Sequence, residues 1–143
     1  MWRSPSVQLQ SAALPYRIDA ENKVEILLIT TRRSGRWSLP KGKIPNGMSL
    51  AASAAKEASE EAGVMGVIAD DPCTMFRTTK RSPFGFKKII EVWVYPLRVS
   101  EYMPDWPEKG QRILRWFPFE QAIPLLGGET FRDAVYHLTQ RAP

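Results

Sequence analysis

Three glutamates stand close together in one segment of this 143-residue chain. Glu57, Glu60 and Glu61 precede Gly63, a residue type that commonly ends a helix. At spacings of three and four residues their carboxylates share a helical face, and each like-charge pair costs the helix about 0.2–0.5 kcal/mol. The helix dipole also disfavours anions at this end. Divalent cations would reverse the cost, because hard cations such as Mg²⁺ take carboxylate and carbonyl oxygens and often bridge to phosphates.

The residues before the glutamates predict the helix that carries them. Pro45 to Gly47 is typical of a turn, and Ser49 is a suitable N-cap, so we expect a helix from Ser49 to Ala62. Small residues recur at helical spacing and let the helix lie close on a sheet, with the carboxylates facing away. They are Ala51, Ala54, Ala55, Ala58 and Ala62. A solvated acidic face is the alternative, but the glycine loop, this stripe and the flanking WSLPKGK favour a site.

The segment Gly42 to Val64, GKIPNGMSLAASAAKEASEEAGV, resembles the Nudix box, whose pattern is G-x5-E-x7-R-E-U-x-E-E-x-G-U with U aliphatic. Gly42 and the three glutamates fall in register without a gap. Met48 stands where the family has Glu, and it cannot bind a hard cation. Lys56 stands where the family has Arg, and it keeps the charge without the planar fork that holds a carboxylate.

This resemblance implies an α/β fold, a Nudix-type α/β/α sandwich with a mixed sheet, as a single domain over residues 1–143. It also implies hydrolysis of phosphoanhydride bonds. The flanking segments RRSGRWSLPKGK and RILRWFPFEQA are similar to the branch that hydrolyses diphosphoinositol polyphosphates and diadenosine polyphosphates. The similarity runs from about Leu14 to Leu138.

The resemblance further implies which residues form the site. Glu57, Glu60 and Glu61 would bind Mg²⁺, or Mn²⁺ in its place, together with a backbone carbonyl of Lys41 or Gly42. One carboxylate would act as general base, which makes the same three glutamates the catalytic candidates and leaves open which of them it is. Four other acids could take this role, but we expect them to be solvated surface groups. They are Glu91, Glu101, Asp105 and Glu108.

Substrate phosphates require cations, and the chain offers several near the box. We expect Arg32, Lys41, Lys43 and Lys88 to bind substrate, since Arg binds phosphate bidentately and Lys supplies a point charge. Further cations stand near the same segments: Arg36, Lys80, Arg81, Lys87, Lys109, Arg112 and Arg115. Of the tryptophans, Trp106 is the best candidate for a ring facing a ligand, with an exposed loop anchor as the equal alternative.

Composition limits the class of protein. Hydrophobic residues make up 43% and charged residues 24%, which suits a soluble globular protein rather than a disordered one. We expect it in a reducing compartment, the cytoplasm. No apolar run approaches the roughly 20 residues that span a bilayer, so we expect no membrane partner. The single cysteine, Cys73, cannot form an internal disulfide. The net charge of +5 favours anionic partners, foremost a polyphosphorylated small molecule.

The remaining sequence predicts strands and helices in alternation. Strands are expected at Gln8–Tyr16, Lys23–Thr31, Val64–Ala69, Cys73–Lys80, Lys88–Val99 and Ile113–Phe117, with a short extended piece at Trp37–Pro40. Helices are expected at Pro118–Leu126 and Glu129–Arg141, the latter burying Phe131, Val135 and Leu138. Pro96 lies inside a long strand and predicts an edge, a bulge or a strand end.

Three interpretations of the function remain. The first is a Mg²⁺-dependent hydrolase of nucleoside-diphosphate-linked, diadenosine polyphosphate or diphosphoinositol polyphosphate substrates. The second, suggested by Met48 and Lys56, is a catalytically weak ligand-binding module or regulator. The third, suggested by the positive charge, is an RNA 5′-pyrophosphohydrolase.

Overall fold

The computed structural model describes the backbone of residues 6–141 and the side chains of residues 6–138. The strands are β1 Ser6–Ile18, β2 Val24–Thr30, β3 Trp37–Ser38, β4 Lys41–Lys43, β5 Val64–Ile68, β6 Thr74–Arg81, β7 Lys87–Tyr102 and β8 Leu114–Pro118. The helices are α1 Leu50–Ala62, α2 Phe119–Leu125 and α3 Glu129–Arg141. Within this part of the chain, no helix is long and apolar enough to cross a bilayer.

The eight strands form one mixed sheet. Its main path runs β3-β2-β1-β7-β5, with β4 also paired to β1, β6 to β7 and β8 to β2. Strands β1 and β7 are parallel, from Ser6 opposite Lys88 to Tyr16 opposite Arg98, and the other pairs are antiparallel. The prediction of a mixed sheet is confirmed.

Helices cover both faces of the sheet. Helix α1 packs Ala54, Ala58 and Ala62 against one face, where the small side chains allow close approach. Helices α2 and α3 cover the other face, where the buried side chains are Ala122, Ile123, Phe131, Val135 and Leu138. Burying a large apolar side chain stabilises the fold by about 1.5–3 kcal/mol, so each face has its own stable core. The result is the predicted α/β/α sandwich.

The caps of α1 agree with the sequence. The hydroxyl of Ser49 accepts a hydrogen bond from the backbone N–H of Ala52 at 3.1 Å. At the other end Gly63 has φ +66° and donates its N–H to the carbonyls of Ala58 and Ser59. A side chain at Gly63 would also collide with the ring of Trp106, at 2.5 Å from its nearest carbons. The helix therefore ends at the predicted glycine, directly after the glutamates.

Strand β4 was not predicted. The sequence suggested an extended piece that ended at Pro40, whereas Lys41–Lys43 pairs with Gln10–Ala12 of β1. Lysine and glycine have low strand propensity, so the segment gives no local indication of a strand. Its pairing with a distant strand is what places it beside the end of α1.

The predicted edge at Pro96 is present, but only locally. Pro96 lies within β7, which is a central strand, opposite Leu14 of β1. On its other side β7 pairs with β5 up to Leu97 and with β6 from Val94, so Pro96 falls in the gap between two partner strands. Its carbonyl accepts the N–H of Ala69 at 2.9 Å. A missing N–H costs no ladder hydrogen bond in such a gap, which is why the sheet tolerates proline there.

Candidate active site

Glu61 lies buried between α1 and β4. The residue is 6% exposed, and both carboxylate oxygens are bound. The backbone N–H of Lys41 donates to Oε2 at 3.0 Å, and Nη2 of Arg112 donates to Oε1 at 3.1 Å. Burial raises the pKa of Glu61 to about 7, against the opposing charge of Arg112 and with a contribution from Glu57. This carboxylate does not belong to a solvated acidic face.

Glu57 lies against the backbone of β4. A Cβ added to Gly42 would stand 2.5 Å from Oε1 of Glu57, so only glycine lets the strand pass this carboxylate. Burial and the charge of Glu60 raise the pKa of Glu57. The first glycine of the box is therefore a requirement of close packing against a half-buried acid.

Glu60 is more exposed and is held by its neighbour on the helix. Nζ of Lys56 lies 2.8 Å from Oε1 of Glu60, in an i, i+4 pair. The hydrogen bond to Glu60 raises the pKa of Lys56. The backbone carbonyl of Glu60 accepts the N–H of Glu108 at 3.1 Å, which ties the loop after β7 to the helix. Lysine thus keeps a contact with one box glutamate at the position of the family's arginine.

Arg112 organises the site, although its sequence position suggested only one phosphate-binding cation among several. Its side chain is 10% exposed and donates to three acceptors. These are Oε1 of Glu61 at 3.1 Å, Oε1 of Glu108 at 3.1 Å and the carbonyl of Thr30 at 3.0 Å. Glu108 was expected to be a solvated surface acid, and its side chain is only 20% exposed. The i, i+4 spacing of Glu108 and Arg112 was the available indication.

The donor atoms at this site suit a hard divalent cation. Glu57, Glu60 and Glu61 offer carboxylate oxygens next to the backbone of Gly42, and the pKa values of Glu57 and Glu61 are raised in part by neighbouring glutamates. As the described side chains stand, no three Asp, Glu, His or Cys groups lie close enough to hold one ion together. The assignment of the three glutamates and Gly42 as metal ligands stays a prediction.

A cleft with two adjoining cavities opens beside Glu61. The inner cavity, about 670 Å³, is lined by Glu61 and Gly42 and by five cations, Arg32, Arg33, Lys41, Lys80 and Arg112. The outer cavity, about 620 Å³, is lined by five cations, Arg33, Lys43, Lys80, Arg81 and Lys88. The four predicted substrate-binding residues therefore share one cleft, two in each cavity.

No aromatic side chain lines either cavity of this cleft, as far as the described residues go. Trp106, the candidate for a ring facing a ligand, packs on Gly63 with Nζ of Lys109 at 5.3 Å from its ring, so it anchors the loop to α1. Trp37 lies edge-on to Phe117 at 4.9 Å. Trp106 and Trp37 therefore pack against other parts of the fold and do not face the cleft.

The α/β/α sandwich, the three glutamates at the end of α1 and the cationic cleft suit a class of proteins, the hydrolases that cleave phosphoanhydride bonds. Comparison with known proteins agrees with this class. The family model for the NUDIX domain matches residues 8–138. The chain therefore belongs to the Nudix family and is a Nudix hydrolase.

Relatives in the family share a modest part of the sequence. "Nudix hydrolase 12, mitochondrial" of Arabidopsis thaliana is 27% identical over 143 residues, covering 90% of this chain and 70% of the relative. "Diphosphoinositol polyphosphate phosphohydrolase 2" of Rattus norvegicus is 29% identical over 119 residues, covering 82% of this chain and 62% of the relative. Among solved structures, the Ap4A hydrolase of C. elegans has a TM-score of 0.62 at 22% identity, covering 92% of this chain and 98% of that one.

Proposed function

We propose that this chain is a Mg²⁺-dependent pyrophosphohydrolase of highly phosphorylated small molecules. Diphosphoinositol polyphosphates are the preferred class, ahead of diadenosine polyphosphates and other nucleoside-diphosphate-linked substrates. The observation that carries the proposal is the cleft, where eight cations and a single acid line two adjoining cavities without an aromatic ring. A ligand with phosphates distributed over its surface matches such a lining better than a ligand with two large bases.

The cations would hold the substrate while the glutamates face the anhydride. Lys41 and Arg32 line the inner cavity beside Glu61, so they can neutralise the phosphates nearest the bond that breaks. Glu57, Glu60 and Glu61 would supply carboxylate oxygens for bound Mg²⁺, which would provide Lewis-acid polarisation and a water of lowered pKa. Arg112 would keep the Glu61 carboxylate in place, because its guanidinium is itself fixed by Thr30 and Glu108.

The ranking of substrates rests on the chemistry of recognition. Adenine is commonly held by stacking on an aromatic ring, and the described lining offers none. The curated relative from rat carries the name of a diphosphoinositol polyphosphate phosphohydrolase, and the chain spans about 62% of its length. The resemblance to the C. elegans Ap4A hydrolase, at 22% identity, supports the fold alone.

The test is a panel of substrates assayed for release of phosphate, pyrophosphate and nucleotide with Mg²⁺ and with EDTA. The panel holds a diphosphoinositol polyphosphate, diadenosine penta- and hexaphosphate, a nucleoside triphosphate and a triphosphorylated RNA. We expect metal-dependent cleavage, fastest for the inositol compound. Glu57→Gln and Glu60→Gln should abolish turnover without unfolding the protein, while Glu21→Gln, an exposed glutamate in a surface pair with Lys23, should retain it. Full activity in both box variants would contradict the proposal.

A second candidate is a catalytically weak binding module. It is favoured by Met48 and Lys56, which stand at two box positions where the family has Glu and Arg. This function predicts tight binding of a polyphosphate with no metal-stimulated product release, which calorimetry beside the same assay would show. The RNA 5′-pyrophosphohydrolase is third, and failure to release pyrophosphate from triphosphorylated RNA would remove it.

A further inference from the structure

The turn between β6 and β7 displays two phenylalanines to solvent. Phe84 is 86% exposed and Phe86 is 73% exposed. The turn is nevertheless ordered by hydrogen bonds, because Ser82 donates its N–H to Phe86 at 2.9 Å and Gly85 donates to Ser82 at 3.0 Å. The hydroxyl of Ser82 also accepts the N–H of Phe86 at 3.2 Å. We call residues 82–86 the hairpin tip. Folding alone does not explain why two large apolar rings project from it.

Cations flank the hairpin tip on both strands. The register places Lys80 opposite Lys88 and Arg81 opposite Lys87. Like charges directly opposite each other destabilise a strand pair. None of these four side chains has an ion pair within the described part of the chain, and no acid occurs between Thr78 and Ile90. An anionic partner would relieve this repulsion.

A small substrate in the cleft would contact only some of the residues at and around the hairpin tip. Lys80, Arg81 and Lys88 line the outer cavity and can contact substrate phosphates. Phe84, Phe86 and Lys87 line neither cavity. The surface formed by Phe84, Phe86 and Lys87 therefore suits a second partner, one that is larger than the substrate and offers both anionic and apolar groups.

We propose that the hairpin tip docks on the surface of an anionic lipid bilayer. Phe84 and Phe86 enter the boundary between headgroups and acyl chains, and the flanking cations bind headgroup phosphates. An anionic lipid surface offers a layer of negative charge directly above an apolar layer, which is the order in which the hairpin presents its rings and then its cations. Single-stranded nucleic acid offers a similar charge, but it is bound by rings along a groove, whereas these rings stand at the end of a turn.

Such peripheral docking needs no membrane-spanning segment. The expectation of no membrane partner came from the absence of a long apolar run, which bears only on spanning helices. The test of the proposal does not depend on the proposed substrate, because the residues it changes, Phe84, Phe86 and Lys87, lie outside the cleft.

The test is co-sedimentation of the full chain with vesicles. Phosphatidylcholine vesicles are compared with phosphatidylcholine–phosphatidylserine vesicles at low and moderate salt. We expect preferential binding to the anionic vesicles. Phe84→Ser combined with Phe86→Ser should lower the bound fraction roughly tenfold, because it removes the apolar contact. Lys87→Glu should weaken binding most at low salt. The matched control is Val67→Ser, an apolar residue that is 71% exposed on β5, and it should bind as wild type does.

Circular dichroism and thermal unfolding of each variant establish that it is folded. Three results would overturn the proposal: folded wild type that ignores anionic vesicles, vesicle binding that survives the loss of both rings, or an equal loss in the Val67 control. Single-stranded RNA is assayed in parallel. Binding of RNA that depends on both rings, without vesicle binding, would assign the hairpin tip to nucleic acid instead.

Discussion

The carboxyl end of α1 and the hairpin of β6 and β7 both place like charges side by side. They differ in the burial of those charges and in the partners that the fold provides for them. Glu57 and Glu61 are half-buried or buried, and the site around them contains groups that hold the carboxylates. The hairpin cations Arg81 and Lys87 are exposed and have no ion pair in the described part of the chain. Water stabilises the exposed charges, whereas the buried ones require partners within the fold.

The largest loss of stability is expected when Arg112, the counter-charge of the buried Glu61, is removed. Arg112→Met leaves Glu61 and the carbonyl of Thr30 without their partner. Breaking a buried pair in this way costs about 3–5 kcal/mol, so urea unfolding at pH 8 should show that loss. Arg115→Met is the control, since Arg115 is exposed, and it should cost less than about 1 kcal/mol. Equal destabilisation by the two variants would show that Arg112 contributes no more to stability than an exposed arginine does.

The next largest effect, a loss of activity, is expected at Gly42 of β4, which lies against Glu57. Gly42→Ala places a methyl group 2.5 Å from Oε1, so the carboxylate must move. A misplacement of about 1 Å can lower the rate by about 10²-fold, which we expect for kcat/KM in the presence of Mg²⁺. Gly127→Ala, at φ +106° with open space around it, tests backbone strain away from the site and should keep its activity.

A smaller effect concerns the pH dependence of stability without metal. The pKa of Glu61 is about 7 in the fold, above the ordinary value of 4.5 for a glutamate, so the folded state binds the proton more tightly. Stability contributed by this group is present below pH 4.5 and is lost as the pH rises through about 7. In EDTA at pH 8, the free energy of unfolding of Glu61→Gln should therefore exceed that of wild type by about 1–2 kcal/mol, as urea unfolding would measure. At pH 4.5 the variant should show no advantage. An advantage of the same size at both pH values would contradict this assignment.

The smallest change in stability is expected in the exposed hairpin of β6 and β7. Lys87→Glu converts the pair with Arg81 from like to opposite charge, and it should stabilise the fold by about 0.2–1 kcal/mol. Urea unfolding at low and high salt measures the gain, which salt should reduce. Lys23→Glu breaks an exposed pair with Glu21 and serves as the control, with no gain expected. A loss of stability in the Lys87 variant would show that the hairpin repulsion is not real.

Local patterns in the sequence predicted α1 well. Ser49 and Gly63 cap the helix through contacts within a few residues, so the sequence alone carries that information. The box glycine and the acids stand on adjacent segments, and in the structure Gly42 packs against Glu57.

Long-range contacts account for what the sequence did not predict. Arg112 meets Glu61 across 51 positions, and β4 forms only because it lies beside β1. Pro96 is tolerated because β5 and β6 leave a gap, which no local rule reveals. The burial of Glu108 follows from the same loop docking. These features depend on where distant segments meet, and residue types nearby do not encode that.

The parallel register of β1 and β7 has a consequence for synthesis. Ser6 pairs with Lys88 and Tyr16 with Arg98, so β1 leaves the ribosome well before the strand with which it pairs. Contacts so distant in sequence slow folding, because the chain between them must be closed into a loop first. In that interval the unpaired edge of β1 is open to other chains. Nascent chains halted before Lys88 should therefore depend on chaperones, whereas those released after Arg98 should be able to close the centre of the sheet.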